Sequence, residues 1–569
     1  MPLNPAIRFS PDAVVMPGMK LMGRQAAGTG FLRAAVANRS DGPLWGFSPN
    51  GRDSEIFKQL VREIDPQADA QWIPADRTLD LFERIGTVYW PAPGLAEPAR
   101  ARLRKGPSAY SLCGVTHTTA THRVMDGICE MLTAPVMPWD ALICTSKSVA
   151  ETVTTWIESE RDYLRWRFGS SLNLMLPQLP VIPLGVHAED FDFSAVERTS
   201  ARRKLDIGDD EVVALFLGRL TFHSKAHPYP MYVGLQRATR QTGKKIVLIQ
   251  CGRSPLPEIE TALRDGAAQF CPDVRMMFAD GYSAEVRGEC WAAADIFISI
   301  VDNIQETFGL TPVEAMAAGL PAVITDWDGY KDTVRDGIDG FRIPTFMPPP
   351  GHGGDFARLY ELNAINYDLY CAFTSMTVSV DLDTLAARLI SLVAGKELRR
   401  KMGEAGRQRA RELFDWNVVY RRYQALWAEL AEIRRRAANN EAVQRRLKLA
   451  PRNAAARSDP YLSFRSYSSS KILPTTLVSA GSQTGAADYP KLMSHPLFRY
   501  ADRRHMLSVE AVNEVFRAVQ TGPRTVQELA DRMRTNVALM VMGVAALAKM
   551  GIVRLRNPEN RGVVRDQFS

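Results

Sequence analysis

Cysteine is scarce in the 569-residue chain. The seven thiols, at 113, 129, 144, 251, 271, 290 and 371, are odd in number and scattered, with no CxxC pair. That excludes a disulfide framework and reads as reduced, mostly buried thiols of a cytoplasmic protein. Long apolar runs are missing as well. No stretch reaches the roughly 18 residues that span a bilayer. The longest, Val537 to Ala548, reads as a buried helix. The first ten residues carry no basic stretch followed by an apolar core, so no secretory leader is expected. A balanced charge is nearly restored once one segment is set aside. The net charge is +7, and between 433 and 457 eight Lys and Arg residues stand against the single Glu441, which accounts for the whole surplus. The rest of the chain is close to neutral, which argues against a body built to grip nucleic acid.

What is present is the composition of soluble globular domains. Hydrophobic residues make up 46% and charged residues 23% of the chain, and its length calls for two or three domains. Residues 1–11 read as an irregular lead-in and Ala13 to Met16 as a short strand. Gly23 to Gly30 reads as a glycine-rich turn that opens a helix at Phe31. Such a turn lets backbone amides approach a phosphate, but no Lys-Ser or Lys-Thr follows, which excludes a Walker A loop. Strands and helices then alternate: strands Gly42 to Ser48, Gln71 to Pro74 and Thr87 to Trp90, with helices Ser54 to Ile64 and Thr78 to Ile85 between them. This is the patterning of a parallel sheet. Pro91 to Pro107 reads as a surface loop. The strand from Ser111 ends in His117, and a helix from Thr121 to Leu132 follows it. His122, one turn into that helix, reads as structural.

A second alternating series begins with the strand Val212 to Leu217, followed by Gly218-Arg219-Leu220 and Lys225. Arg forks across two oxygens and Lys acts as a point charge, so a loop carrying both suits a diphosphate. The densest stretch runs Gln305-Glu306-Thr307-Phe308-Gly309-Leu310-Thr311-Pro312-Val313-Glu314-Ala315-Met316-Ala317-Ala318-Gly319-Leu320-Pro321. It lies between the buried strands Ala294 to Ile300 and Pro321 to Thr325. In parallel sheets ligands sit beyond the carboxyl ends of the strands, where Glu306 and the Phe308-Gly309-Leu310 turn fall. The helix that follows aims its amides at the same crevice, and Glu314 lies on it.

This stretch resembles the E-x7-E signature of retaining GT-B glycosyltransferases of family 4, including its neighbours E-x-F-G-L and E-A-M-A-x-G-x-P. Pro180 to His187 resembles a further element of that family, with His187 where the family often has Asp. The resemblance covers about residues 12–430. It implies an α/β fold with two Rossmann-like domains facing across a cleft: 12–190 on the acceptor side, 191–404 for the nucleotide-sugar, and 405–436 packing back on the first domain. It implies transfer of a sugar from a nucleotide-sugar, UDP- or GDP-linked, to an acceptor hydroxyl with retention. Glu306 and His117 are the implied catalytic residues, beside the donor sugar. Arg219, Lys225, Glu314, Phe308, Gly309, Leu310, Gly28 and Gly30 are the implied donor-binding residues. No metal or cofactor is expected, since the cations and the helix end hold the leaving diphosphate and no Asp-x-Asp is read at a strand end.

Residues 344–377 are tyrosine-rich and depart from a minimal core. They read as an insertion that either shapes the acceptor site or is structural. The segment 437–504 reads as a basic and Ser-rich, mostly irregular linker. The basic run 434–457 suits an anionic membrane surface, or is simply solvated. Residues 505–569 resemble a winged-helix module. Its third helix, from Asn536 to Lys549, has almost no donors for bases or phosphates. A protein contact or dimer therefore fits it better than nucleic acid. The acceptor reads as a lipid-linked compound, a glycan or a protein, and the location as cytoplasmic, with a peripheral position on the inner face of the membrane as an extension. The alternative reading is a non-catalytic nucleotide-sugar-binding regulator that acts through the C-terminal module.

Overall fold

The computed structural model describes residues 4–14, 23–170, 174–482, 484–498 and 506–558. The chain divides into two compact units, Met1–Ala454 and Ala455–Ser569.

The first unit is built on two parallel six-stranded sheets. One holds β1 (Ala6–Arg8), β2 (Leu44–Phe47), β3 (Ala70–Trp72), β4 (Thr87–Trp90), β5 (Ser111–Val115) and β6 (Ala141–Ile143), in the order β3-β2-β1-β4-β5-β6. The other holds β7 (Val212–Leu217), β8 (Ile246–Gly252), β9 (Arg275–Asp280), β10 (Ile296–Ser299), β11 (Ala322–Thr325) and β12 (Gly340–Ile343), in the order β12-β11-β10-β7-β8-β9. Both are Rossmann-like, with the strand order reversing between β1 and β4 and between β7 and β10. Helices cover both faces, so strands such as β7 and β10 are almost continuously buried and apolar. This is the two-domain α/β architecture expected.

The start of the chain differs from the expectation. The first strand is β1, not Ala13 to Met16. Pro11–Ala13 is a 3-10 turn, and Val15 and Met16 lie outside the described residues. β1 is only three residues long and ends in Arg8, so apolar patterning does not reveal it. Its place comes from parallel pairing with β2 and β4 on either side. Pro91 to Pro107 is not simply a loop either. It contains the helix Ala96–Arg102, and Arg102 is completely buried.

The long helix Trp416–Ala438 returns to the first sheet. Trp416, Val419, Tyr420, Tyr423, Leu426, Trp427 and Leu430 recur at helical spacing and form one apolar stripe. The stripe joins the core of the first sheet, where Phe31 stacks on Tyr89 at 4.2 Å and also meets Trp416, Tyr420 and Tyr423. Near the end of the helix, Arg434 Nη1 donates to Gly86 O and Ser111 Oγ, both at 2.6 Å. The first arginine of the basic run therefore anchors the helix to the first sheet.

The segment 344–377 carries β13 (Thr345–Phe346), paired with β14 (Ser379–Val380), and two helices, Gly354–Glu361 and Tyr367–Ser375. The stretch read as a linker is also more ordered than expected. It holds the helix Glu441–Lys448 and, in the second unit, β15 (Leu477–Ala480). β15 is the central strand of an antiparallel sheet between β16 (Arg524–Thr525) and β17 (Val553–Arg556). Its partners follow it by more than forty residues in the chain, so local composition does not announce the pairing. Against this sheet pack the helices Val509–Gln520, Val526–Arg532 and Val537–Lys549. Each begins at a side-chain cap, Ser508, Thr525 and Asn536 in turn.

Candidate active site

The second sheet reverses its strand order between β7 and β10, so the loops leaving these two strands diverge and open a crevice. Arg219 leaves β7, and the Asn303 to Leu310 segment leaves β10. Lys225 Nζ donates to Glu306 Oε2 at 2.6 Å, with side-chain exposures of 16% and 14%. Burial alone would raise the Glu306 pKa. The Lys225 charge and the N–H groups of Lys225, Thr307 and Phe308 outweigh it and hold the carboxyl below its ordinary range. Burial works against the Lys225 charge, but Glu306 raises the ammonium above its usual value. The free site therefore holds a formed ion pair. Arg219 Nη2 donates to Gln305 Oε1 at 2.8 Å and to Ser224 O at 3.3 Å.

The turn after Glu306 is tightly built. Gly309 has φ +88°, and a Cβ there would lie 2.1 Å from the Tyr330 ring, whose hydroxyl is 2.9 Å from Ser299 Oγ. Only glycine meets both demands. Phe308 turns its ring away from the crevice, so only its backbone is open to a donor there. Its side chain is 1% exposed and packs against Phe414, with centroids 6.0 Å apart. The ring anchors the turn from beneath. Leu310 opens the helix Leu310–Ala317, and Glu314 follows one turn later. Burial pushes the Glu314 carboxyl up to about 7, against the pull of Arg287 and Lys225.

His117 lies just past β5 in the first domain. Its carbonyl accepts from Thr307 Oγ1 at 3.4 Å, while Thr145 Oγ1 donates to Thr307 O at 3.3 Å. These contacts bring the His117 loop against the residue next to Glu306. Gly28 lines a cavity together with His117, Ser10 and Ala13, but neither Gly28 nor Gly30 forms the turn expected. Both belong to the helix Gly23–Ala37, not to an open turn. A Cβ on Gly28 would lie 1.9 Å from Ala13 O, and one on Gly30 would lie 2.2 Å from Trp416 Nε1. They are glycines for close packing. Gly30 O accepts from His187 Nε2 at 3.1 Å, which gives the histidine at that position a buried structural bond. His122 also meets a partner in the second domain, since its ring stacks on Tyr360.

Sequence reading passed over several groups here. Gln305 sits inside the central stretch, yet only the fold shows that it bridges Arg219 and Ser224. An Asp-x-Asp does follow a strand: Asp326-Trp327-Asp328 begins directly after β11. Its carboxyls are committed differently. Asp326 lies 3.5 Å from Arg342 Nε. Asp328, at φ +42°, has its pKa pushed well up by burial and by Glu306. Asp302, beyond β10, is raised to about 7 by burial. Among the described residues, no group of three His, Cys, Asp or Glu side chains is arranged to hold a metal ion.

Residues 211–357 match the family described as Glycosyl transferases group 1. A 204-residue stretch is 24% identical to an uncharacterized glycosyltransferase of Methanocaldococcus jannaschii, covering 36% of this chain and 46% of that protein. A D-inositol 3-phosphate glycosyltransferase of Geodermatophilus obscurus is 32% identical over 172 residues, 29% of this chain and 36% of that one. The aligned stretches thus span under half the length of these curated relatives. Among solved structures, Anabaena HepE in complex with UDP aligns with a TM-score of 0.47 and 15% identity, over 75% of this chain and all of that one. The matched family segment contains Arg219, Lys225, Glu306 and Glu314, so the crevice of the second sheet lies within the part of the chain that is similar to glycosyltransferases.

Proposed function

We propose that the chain is a retaining glycosyltransferase that moves a sugar from a nucleoside diphosphate donor, UDP- or GDP-linked, to an acceptor hydroxyl. The observation that carries this reading is the convergence of Arg219, Lys225 and Glu306 at the order reversal of the second sheet, beside the His117 loop. Breaking the anomeric bond leaves a diphosphate anion. Arg219, Lys225 and the amide end of the helix Leu310–Ala317 stabilise the charge that develops there. These groups do the work a metal would do, so the reaction is metal-independent in this reading. The arriving diphosphate takes over Lys225, and Glu306 turns to the donor sugar, where it orients hydroxyls and offsets positive charge at the anomeric carbon. Glu314, which makes no hydrogen bond from its carboxyl among the described residues, accepts from the ribose. His117 contacts the sugar from the first domain. Retention follows from front-face attack, with a phosphate oxygen taking the acceptor proton.

In the C-terminal unit, the helices Val509–Gln520, Val526–Arg532 and Val537–Lys549 on the three-stranded sheet fit a winged-helix-like module for a protein partner or a second copy. The basic run beyond Arg434 fits anionic lipid, which would place the enzyme at the inner face of the membrane. No helix among the described residues is long and apolar enough to cross a membrane. The test is nucleoside diphosphate release from UDP-, GDP- and ADP-sugars, without acceptor and then with a lipid extract. Native protein is compared with Glu306→Ala and Arg219→Ala. Release from one donor, lost in both variants, is the expected result. Tight donor binding without turnover under any acceptor would instead support the regulator reading.

A further inference from the structure

The two helices of the insertion touch both domains. Toward the first domain, Tyr360 stacks on His122 with centroids 3.7 Å apart, and Tyr370 stacks on Tyr360 at 4.4 Å. The His122 backbone N–H donates to the Tyr360 hydroxyl at 3.3 Å, and its Nε2 lies 3.1 Å from Tyr360 O. Three parallel rings and two polar contacts fasten the insertion to the helix His122–Cys129. Toward the second domain, the Tyr367 hydroxyl meets Gln305 Oε1 at 3.4 Å, the same oxygen that accepts from Arg219 Nη2 at 2.8 Å. Burial, with Cys371 beside it, raises the Tyr367 phenol above its ordinary value, so it stays protonated, and its hydroxyl geometry is that of a donor to Gln305. Among the described residues, the hydrogen bonds of Arg219 both leave from Nη2. Its Nε and Nη1 keep their protons for an anion. A long side chain held at one amino group loses less freedom when the anion arrives.

We propose that Tyr367 is a positioning residue. Through Gln305 it orients the Arg219 guanidinium for the diphosphate, and the His122–Tyr360–Tyr370 stack holds it in place from the first domain. The insertion is then part of the donor site, where it ties the setting of Arg219 to contact between the domains. The inference rests on the reading of Arg219 as a diphosphate ligand.

The experiment is calorimetric binding of UDP, GDP and ADP to the full chain, with Tyr367→Phe, Gln305→Leu, their double variant, and Arg219→Ala. Tyr367→Phe should weaken binding of the preferred diphosphate by about three- to ten-fold, the effect of one hydrogen bond. It should add nothing once Gln305 is leucine, because the path is already cut. His122→Ala should weaken binding in the same direction, and His122→Phe, which keeps a ring in the stack, should restore it. Native affinity in Tyr367→Phe, or an undiminished loss in the Gln305→Leu background, overturns the proposal and leaves the diphosphate reading intact. No effect of Arg219→Ala, or no binding by native protein, overturns both.

Discussion

Two shielded ion pairs, one in each sheet domain, look alike in a list of contacts and differ in kind. In the first domain, Arg102 and Asp140 are both 0% exposed. Arg102 donates twice to the carboxylate, at 2.6 and 2.7 Å, and to the carbonyls of Tyr110 and Pro135, at 2.6 and 3.0 Å. Asp140 also accepts from the backbone of Leu112 and Met137, both at 2.8 Å. This pair is sealed, and three chain segments meet at it: Arg102, Tyr110 to Leu112, and Pro135 to Asp140. In the second domain, Lys225 and Glu306 share a single bond at the rim of a crevice, and water reaches both. A pair that is 0% exposed is out of a ligand's reach, even though Arg102 Nε is left without a hydrogen bond among the described residues. A pair with spare donors at a strand-order reversal is within it. Access separates the structural pair from the functional one: Arg102 and Asp140 are 0% exposed, whereas Lys225 and Glu306 keep 16% and 14% of their side chains open at the crevice.

The comparison can be broken most forcefully at the sealed pair. Arg102→Ala should lower stability by about 3–5 kcal/mol in urea unfolding, because it strands a charged Asp140 in the core. A loss below about 1 kcal/mol would mean that the pair is not what holds those segments. Lys225→Ala should do the reverse. It should reduce kcat/KM on the order of 10²-fold, the cost of losing one charge-stabilising donor, while stability falls far less than in Arg102→Ala. Equal stability losses in the two variants would erase the distinction drawn here.

Gly309→Ala tests whether the crevice depends on its turn. The added methyl overlaps Tyr330 and meets a backbone at φ +88°. A loss of about 1–3 kcal/mol in thermal or chemical unfolding is expected, with donor affinity falling alongside. The smallest effect concerns Glu314. Its carboxyl is raised from 4.5 to about 7, so the folded chain binds more protons than the unfolded one in that window. Stability from this group is therefore lost as pH rises from about 4.5 through 7. Glu314→Gln should melt a few degrees above native protein at pH 8 and level with it at pH 4.5. A difference that does not change with pH would place the group outside a shielded setting.

Much of the second domain was legible in the sequence. β7 spans the stretch Val212 to Leu217 as read, and β11 falls within the stretch Pro321 to Thr325 read as a strand. Both strands are apolar and buried nearly throughout, so local signals suffice. The first domain was harder. β1 is three residues long, and the helix Ala96–Arg102 carries Pro98 and three charges, so neither shows the period that pattern reading relies on. Glycines were the most misleading. Gly28 and Gly30 in sequence suggest a phosphate turn, whereas in the structure they make room for Ala13 and Trp416. Trp416 is 386 residues away from Gly30, and no local rule could have connected them.

The sequence by itself determined the alternation of strands and helices, the buried character of the central strands, and the residue types at the crevice. Periodicity and spacing are local properties, and they survive without coordinates. Tertiary structure alone decided which of those residues meet. It paired Lys225 with Glu306, turned Phe308 inward, set Gln305 against Arg219, and brought Tyr360 from the insertion onto His122. The physical reason is that a side chain's role depends on what surrounds it. A neighbour 81 residues distant, as Lys225 is from Glu306, is supplied by strand order rather than by the residues beside it in the chain.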